Sequence, residues 1–156
     1  MQWSKLKSRI KDFSHPELKD RVDFHLTSYR ESHDGADKVW ILIDGEKVFD
    51  FSYYPYEFAE ADFYHRGLNA EQAKNLLEAN EIHRPKDFGD AMREYLDLPI
   101  GKALKSSNPI IKAFAVIDRR AGKRAIAKNE ISDSEHSLVR TFCELRGKLF
   151  FDACRC

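Results

Sequence analysis

Residues 106–124 read SSNPIIKAFAVIDRRAGKR, and whether they form a helix or a hairpin decides what the second half of the chain can be. Ser107 and Asn108 carry side-chain oxygens able to accept the free N–H groups of a first helical turn. Pro109 suits the first helical position, where its missing N–H costs nothing. Ile110, Ile111, Phe114, Ile117 and Ala121 then recur at helical spacing and form one apolar stripe. Gly122 falls where a left-handed C-terminal cap would close the helix. Together these signals predict a helix over 109–121. The rival is a hairpin, 111–118 and 123–127, turning at 119–122. The run AFAVI suits a buried strand as well, because short apolar runs do not separate the two by period.

Arg119, Arg120, Lys123 and Arg124 surround the expected end of that helix. Two readings follow. Cations in a last turn offset the helix dipole by about 0.3–1 kcal/mol each. The same four could instead contact phosphates, with a log–log salt slope no steeper than about −3.6, which suits weak and non-specific nucleic-acid binding.

Charge is unevenly spread along the chain. Formal net charge is zero over 156 residues, so there is no bulk attraction for nucleic acid or anionic membrane. Yet residues 44–97 hold 13 acidic and 6 basic side chains, and residues 102–128 hold 8 basic and 1 acidic. Such polarity suits contact with a protein partner or self-association.

Upstream, Trp3, Leu6, Ile10 and Phe13 predict a short amphipathic helix over 3–12. Val22, Phe24 and Leu26 alternate with Asp23, His25 and Thr27, which predicts a half-buried strand over 21–29. A second strand over 38–43 meets Asp44-Gly45, a two-residue hairpin signal whose type I′ turn needs positive φ twice. The returning strand covers 46–52. Eight of the chain's 19 aromatic residues then fall between Phe49 and Tyr64. Buried, they would fill the space between sheet and helices; exposed, Tyr53, Tyr54 and Tyr56 would form a partner-binding surface. Their acidic neighbours Asp50, Glu57, Glu60 and Asp62 argue against stacking on bases.

The remainder predicts helices. Asn69 caps one, with Gln72 at the capping-box position and Leu68 and Ala73 placed as a staple. Asp87 caps the next, carrying Phe88, Ala91, Met92, Tyr95 and Leu96. Pro99 opens a short turn. Ser134 or Glu135 starts a last helix with Leu138, Val139, Phe142, Leu145 and Leu149. Residues 108–114, NPIIKAF, echo residues 136–142, HSLVRTF, in an aliphatic pair, a cation and a phenylalanine.

The familiar chemistries leave no trace. Seven scattered glycines form neither G-x-G-x-x-G nor a P-loop. Six histidines show no metal-ligand spacing, Asp62 and His65 beside Glu60 being the best local group. No catalytic, metal or cofactor site is expected; for a small enzyme of unidentified reaction, His25 and His33-Asp34 are the members left to weigh. No stretch approaches the roughly 20 apolar residues of a membrane span, and the cationic start lacks the apolar core of a signal peptide. Cys143, Cys154 and Cys156 are odd in number and crowd the C-terminal end, which points away from a disulfide framework and toward a reducing cytoplasm.

Three blocks occur in order: WSKLK at 3–7, WILIDG at 40–45, and NP at 108–109 leading to DRRAGKR at 118–124. They resemble a family of small uncharacterised bacterial proteins of about this length. That resemblance implies bacterial origin and a single full-length domain, and it transfers no site residues.

The expectation is therefore an α+β chain of one domain, 1–156. An N-terminal helix and a three-stranded antiparallel β-meander occupy 1–54, and a mainly helical layer occupies 57–152. Its expected role is that of a non-catalytic, cytoplasmic protein-interaction protein. The named contact residues are Arg119, Arg120, Lys123, Arg124, Tyr53, Tyr54 and Tyr56, with weak nucleic-acid binding around 119–124 or a small enzyme as alternatives.

Overall fold

The computed structural model describes residues 2–27, 37–129 and 131–152. The fold is α+β: an N-terminal helix, a three-stranded antiparallel sheet, then helices. In chain order these are α1 (Trp3–Phe13), β1 (Val22–Thr27), β2 (Lys38–Ile43), β3 (Glu46–Asp50), α2 (Tyr53–His65), α3 (Ala70–Ala79), α4 (Pro85–Asp97), α5 (Ile100–Ala103), α6 (Pro109–Val116), α7 (Lys123–Lys128) and α8 (Ser137–Asp152). They gather into two compact units, 1–22 with 90–156, and 23–89. The sequence-order grouping into 1–54 and 57–152 cuts across both.

In the 23–89 unit the strands lie in the order β1-β2-β3. Asp44 (φ 52°) and Gly45 (φ 85°) both take the left-handed conformation that the hairpin turn demands. Register places Ile41 opposite Phe49 and Leu42 opposite Lys47, so one bulge separates the pairs. Phe24, Val39, Ile41 and Phe51 are buried, and Phe24 and Phe51 each bring a ring to within 6.0 Å of Phe88 at the start of α4. Helix α3 is closed by the expected capping box: Gln72 N–H donates to Asn69 Oδ1, and Asn69 N–H to Gln72 Oε1. Leu68 and Ala73 share a small core with Phe63 and Leu77, as a staple requires.

In the other unit α6 is nearly all buried, with Ile110, Ile111, Ala113, Phe114, Ala115 and Val116 removed from water. Asn108 Oδ1 accepts the N–H of Ile110 at 3.0 Å, and Pro109 opens the helix. The two copies of the echoed pattern meet. Phe114 and Phe142 pack edge to face with centroids 5.4 Å apart, and their aliphatic pairs, Ile110/Ile111 and Leu138/Val139, are buried beside them. The caps correspond too, since His136 Nδ1 accepts the N–H of Leu138 at 3.0 Å. The last helix therefore begins at Ser137, two or three residues later than Ser134 or Glu135 suggest.

Two expectations for 106–124 fail. The helix ends at Val116 rather than Ala121, and 123–127 lie within α7 rather than in a hairpin strand. Gly122 (φ −73°, ψ 159°) is no left-handed cap; it is the extended N-cap residue of α7. The physical cause lies at Asp118, described below. If Asn108 is the working cap, Asn108→Ala should lower unfolding free energy by about 1 kcal/mol in urea titrations, whereas exposed Ser107→Ala should leave it within about 0.5 kcal/mol.

Candidate functional site

The basic block is organised around a carboxylate that sequence reading treated as incidental. Asp118 is completely buried. Its Oδ1 accepts the Arg120 backbone N–H at 2.7 Å, and the Arg120 guanidinium reaches both oxygens, with Nη2 at 2.6 Å from Oδ2. The Tyr95 hydroxyl donates to Oδ2 as well. Burial, then this bond to Asp118, pushes the phenol's pKa up. The guanidinium lies 4.0 Å above the Phe13 ring, and Phe13 packs edge-on against Tyr95. Backbone bonds on either side complete the node: His15 N–H donates to Ile117 C=O and Arg119 N–H to Phe13 C=O, both at 2.8 Å. These bonds turn the chain away from helical geometry after α6, which is why the helix stops short of Ala121 although Ala121 is still buried.

The four cations consequently separate. Arg120 is committed to Asp118 and Phe13. All four are exposed, Arg120 with 33% of its side chain accessible. Lys123 and Arg124 occupy the first turn of α7, not the last turn of α6, so dipole compensation does not explain them. Lys123 Nζ lies 5.6 Å from the Phe150 ring centroid. Lys112, another cation of the basic stretch, is ion-paired with Glu135.

Arg146, which nothing in the sequence singled out, stands near this node on α8. It is only 4% exposed; its Nη2 donates to the Ala121 carbonyl at 3.2 Å, and its Nε and Nη1 find no acceptor among the described residues. Its guanidinium carbon lies 5.2 Å from the Phe150 ring. Burial, then the charge of Arg146, holds His15 below its usual pKa. Burial does the same to His83, whose ring meets the edge of Phe51 at 5.5 Å.

Two predictions follow from these groups. Arg120→Ala leaves a buried carboxylate without its counter-charge and should cost about 3–5 kcal/mol in chemical denaturation, whereas the neighbouring Arg119→Ala should stay within about 0.5 kcal/mol. For the histidines, both folded pKa values lie below 6.5, so the unfolded chain binds protons first as pH falls. Stability should be full above roughly pH 6.5 and decline below it. Thermal midpoints at pH 7.5 and 5.5 should differ less in a His15→Gln, His83→Gln variant than in the parent.

The second sequence-predicted group lies on α2. Aromatics on every side of this segment show no period, yet Tyr53–His65 is a continuous helix. Its start is pinned by Tyr53 N–H donating to the Asp37 carbonyl at 3.0 Å. One face, Tyr56, Ala59 and Phe63, packs on the α3 core with Ala73 and Leu77. Another face carries Tyr54 stacked on Phe58 at 6.2 Å, and Phe58 is 71% exposed. So neither the wholly buried nor the wholly exposed reading of this segment holds: Phe63 and Phe51 are core, Tyr56 is partly covered, and Phe58 faces water.

Between these faces a cleft of about 330 Å³ opens, lined by Tyr53, Tyr56, Glu57 and Glu60 of α2, by Arg84, Pro85 and Lys86 at the start of α4, and by Asp37. The Tyr53 hydroxyl donates to Glu57 at 2.8 Å and the Tyr56 hydroxyl to Glu60 at 3.1 Å. Arg84 grips Asp87 through Nε and Nη2 and lies 5.8 Å from the Tyr56 ring centroid. The hydrogen bond to Glu57, with some burial, raises the Tyr53 pKa; burial, then the charge of Glu60, raises that of Tyr56.

Among the described residues the remaining candidates do not converge. His25 pairs with Asp23 at 3.0 Å and stacks on Trp40 at 5.1 Å, while His33 and Asp34 lie outside the described residues. His65 is spent on the Ala61 carbonyl and Asp62 on Arg66. Among the described residues no group of three or more histidine, cysteine, aspartate or glutamate residues could hold a metal ion. No helix among them is long and apolar enough to cross a membrane. Cys143 is free and half-buried, and burial raises its thiol pKa; Cys154 and Cys156 lie outside the described residues.

The chain belongs to the SF0329 protein family, whose family model matches residues 2–147 and so spans all three sequence blocks at 3–7, 40–45 and 108–124. No curated protein and no solved structure matches it.

Proposed function

We propose that this chain is a non-catalytic protein-interaction protein of the bacterial cytoplasm, and that its docking surface is the outer face of α2. The observation that carries this reading is Phe58, 71% exposed and stacked on Tyr54. A helix with aromatics on every side needs cover on every side. Core packing supplies it for Phe63 and in part for Tyr56, and Tyr64, 46% exposed, adds a second large ring at the surface. Stacked surface aromatics are the residue type that anchors protein contacts.

Charge selects the partner's chemistry. Between 44 and 97, Lys47, Arg66, Lys74, Arg84 and Arg93 each pair with an acid three or four residues away. Glu57 and Glu60 on α2 form no ion pair with the described residues. The surface therefore suits an apolar segment flanked by cations, offered by another protein. A weaker reading, nucleic-acid binding through Arg119, Lys123 and Arg124, rests on three exposed cations and would show a salt slope no steeper than about −2.7.

A photo-crosslinking amino acid at Ala61, on the outer face of α2, tests the docking surface in cells. The expected adduct joins this position to one cation-flanked apolar peptide and disappears with Phe58→Ser, while a probe at Lys128 on α7 does not form it. Phe58→Ser itself should change folding stability by no more than about 0.5 kcal/mol, because the ring is already in water. Adducts that are the same from both positions, or that survive Phe58→Ser, would refute the surface. An adduct with a second copy of the chain would make the contact self-association.

A further inference from the structure

We infer that the cleft beside the α2 face is a receptor for one arginine side chain, supplied by the segment that docks on Tyr54 and Phe58. This rests on the reading of α2 as the docking helix and adds the recognition chemistry at its side.

Shape comes first. A space of about 330 Å³ is larger than a guanidinium and its stem need, and its two walls come from different elements, α2 and the start of α4. Its aromatic content comes next. Tyr53 and Tyr56 both line it, one helical step of three residues apart, and tyrosine faces attract cations through the ring quadrupole. The protein already uses that chemistry there, with the Arg84 guanidinium 5.8 Å from the Tyr56 centroid.

Charge then decides the sign of the ligand. Arg84 is neutralised by its two bonds to Asp87, at 3.1 and 3.2 Å. What remains in the lining is Asp37, Glu57 and Glu60 against Lys86. Glu57 and Glu60 are each oriented by a tyrosine hydroxyl on one oxygen, and the second oxygen of each makes no hydrogen bond to the described residues. Two held carboxylates, one helical turn apart, with free acceptors beside tyrosine hydroxyls suit a planar donor fork better than a compact ammonium. The neighbouring apolar stack supplies a site for the residue next to that arginine in the docking segment.

The probe is N-acetyl-arginine amide, with N-acetyl-citrulline amide as the isostere that keeps shape and most donors but lacks charge. Titration of the intact chain, followed by NMR shifts of the Tyr53 and Tyr56 rings, should show saturable arginine binding in the millimolar range. Citrulline should bind at least tenfold more weakly. A Glu57→Gln, Glu60→Gln variant, whose amides preserve size, should lose at least tenfold in arginine affinity while ring shifts in the absence of ligand confirm that α2 is folded. Equal binding of the two probes, no binding of either, or unchanged affinity in the double variant would each overturn the arginine site. The crosslink from Ala61 and its dependence on Phe58 would then still stand or fall separately, since that experiment does not involve the carboxylates.

Discussion

The unit formed by 1–22 and 90–156 depends on one buried carboxylate. Asp118 has no contact with water, and an uncompensated charge in such a place costs several kcal/mol. It is compensated by a guanidinium two residues away, a backbone N–H and a tyrosine hydroxyl from α4. Two of these partners belong to Arg120 and are local, whereas Tyr95 comes from α4 and Phe13 of α1 lies under the Arg120 guanidinium, so the whole node forms only when α1, α4 and the end of α6 are in place. The antiparallel bridge between Ser14 and Asp118 fixes the two chain turns against each other. Removal of the charge would relieve its desolvation, yet would leave the Tyr95 hydroxyl buried without a good acceptor. The node is thus a specificity device as much as a source of stability.

Its consequence reaches the functional reading. A row of cations in a sequence invites a search for phosphates. Here the row is split by geometry: one arginine, still partly exposed, is held by Asp118, and the others lie on two different local structures. Lys112 is withdrawn in the same way by Glu135. The basic stretch is therefore less basic at its surface than its composition implies. The acidic stretch differs, because five of its six cations are spent on pairs three or four residues away, which are individually weak. Glu57 and Glu60, which form no ion pair within contact distance among the described residues although Glu60 acts on Arg84 at longer range, are left beside partly exposed aromatics.

Local signals were legible at three places where a residue type satisfies a single backbone need, though not at Asp87, which lies inside the first turn of α4 rather than capping it. Asn69 with Gln72, Asn108 with Pro109 and Asp44 with Gly45 were all read correctly, because a free N–H or a positive φ has few solutions. The illegible parts depend on tertiary partners. Gly122 looks like a left-handed cap only if the helix continues to Ala121, and Asp118 stops it for reasons that involve Phe13, Ser14 and Tyr95. Helix α7 has six residues and little apolar stripe beyond Ile126, too short to announce itself. Arg146 is hidden because an arginine on a helix is ordinarily solvent-facing, and nothing adjacent in sequence predicts its burial.

The same distinction explains why α2 was readable in composition but not in structure. Eight aromatics in sixteen residues must either fill a core or meet a partner, and periodicity normally tells which. In this helix it cannot, because Tyr53, Tyr54, Tyr56, Phe58, Phe63 and Tyr64 point in every direction. The structure resolves them into three roles by their neighbours. Phe63 meets α3 and is core; Tyr53 and Tyr56 hold carboxylates at a cleft; Tyr54, partly buried, stacks on the exposed Phe58. A helix that needed only to fold would gain more from a charged residue at position 58 than from an exposed phenylalanine. Packing on Tyr54 leaves 71% of Phe58 exposed, and cover for that ring is what the proposed docking surface would add.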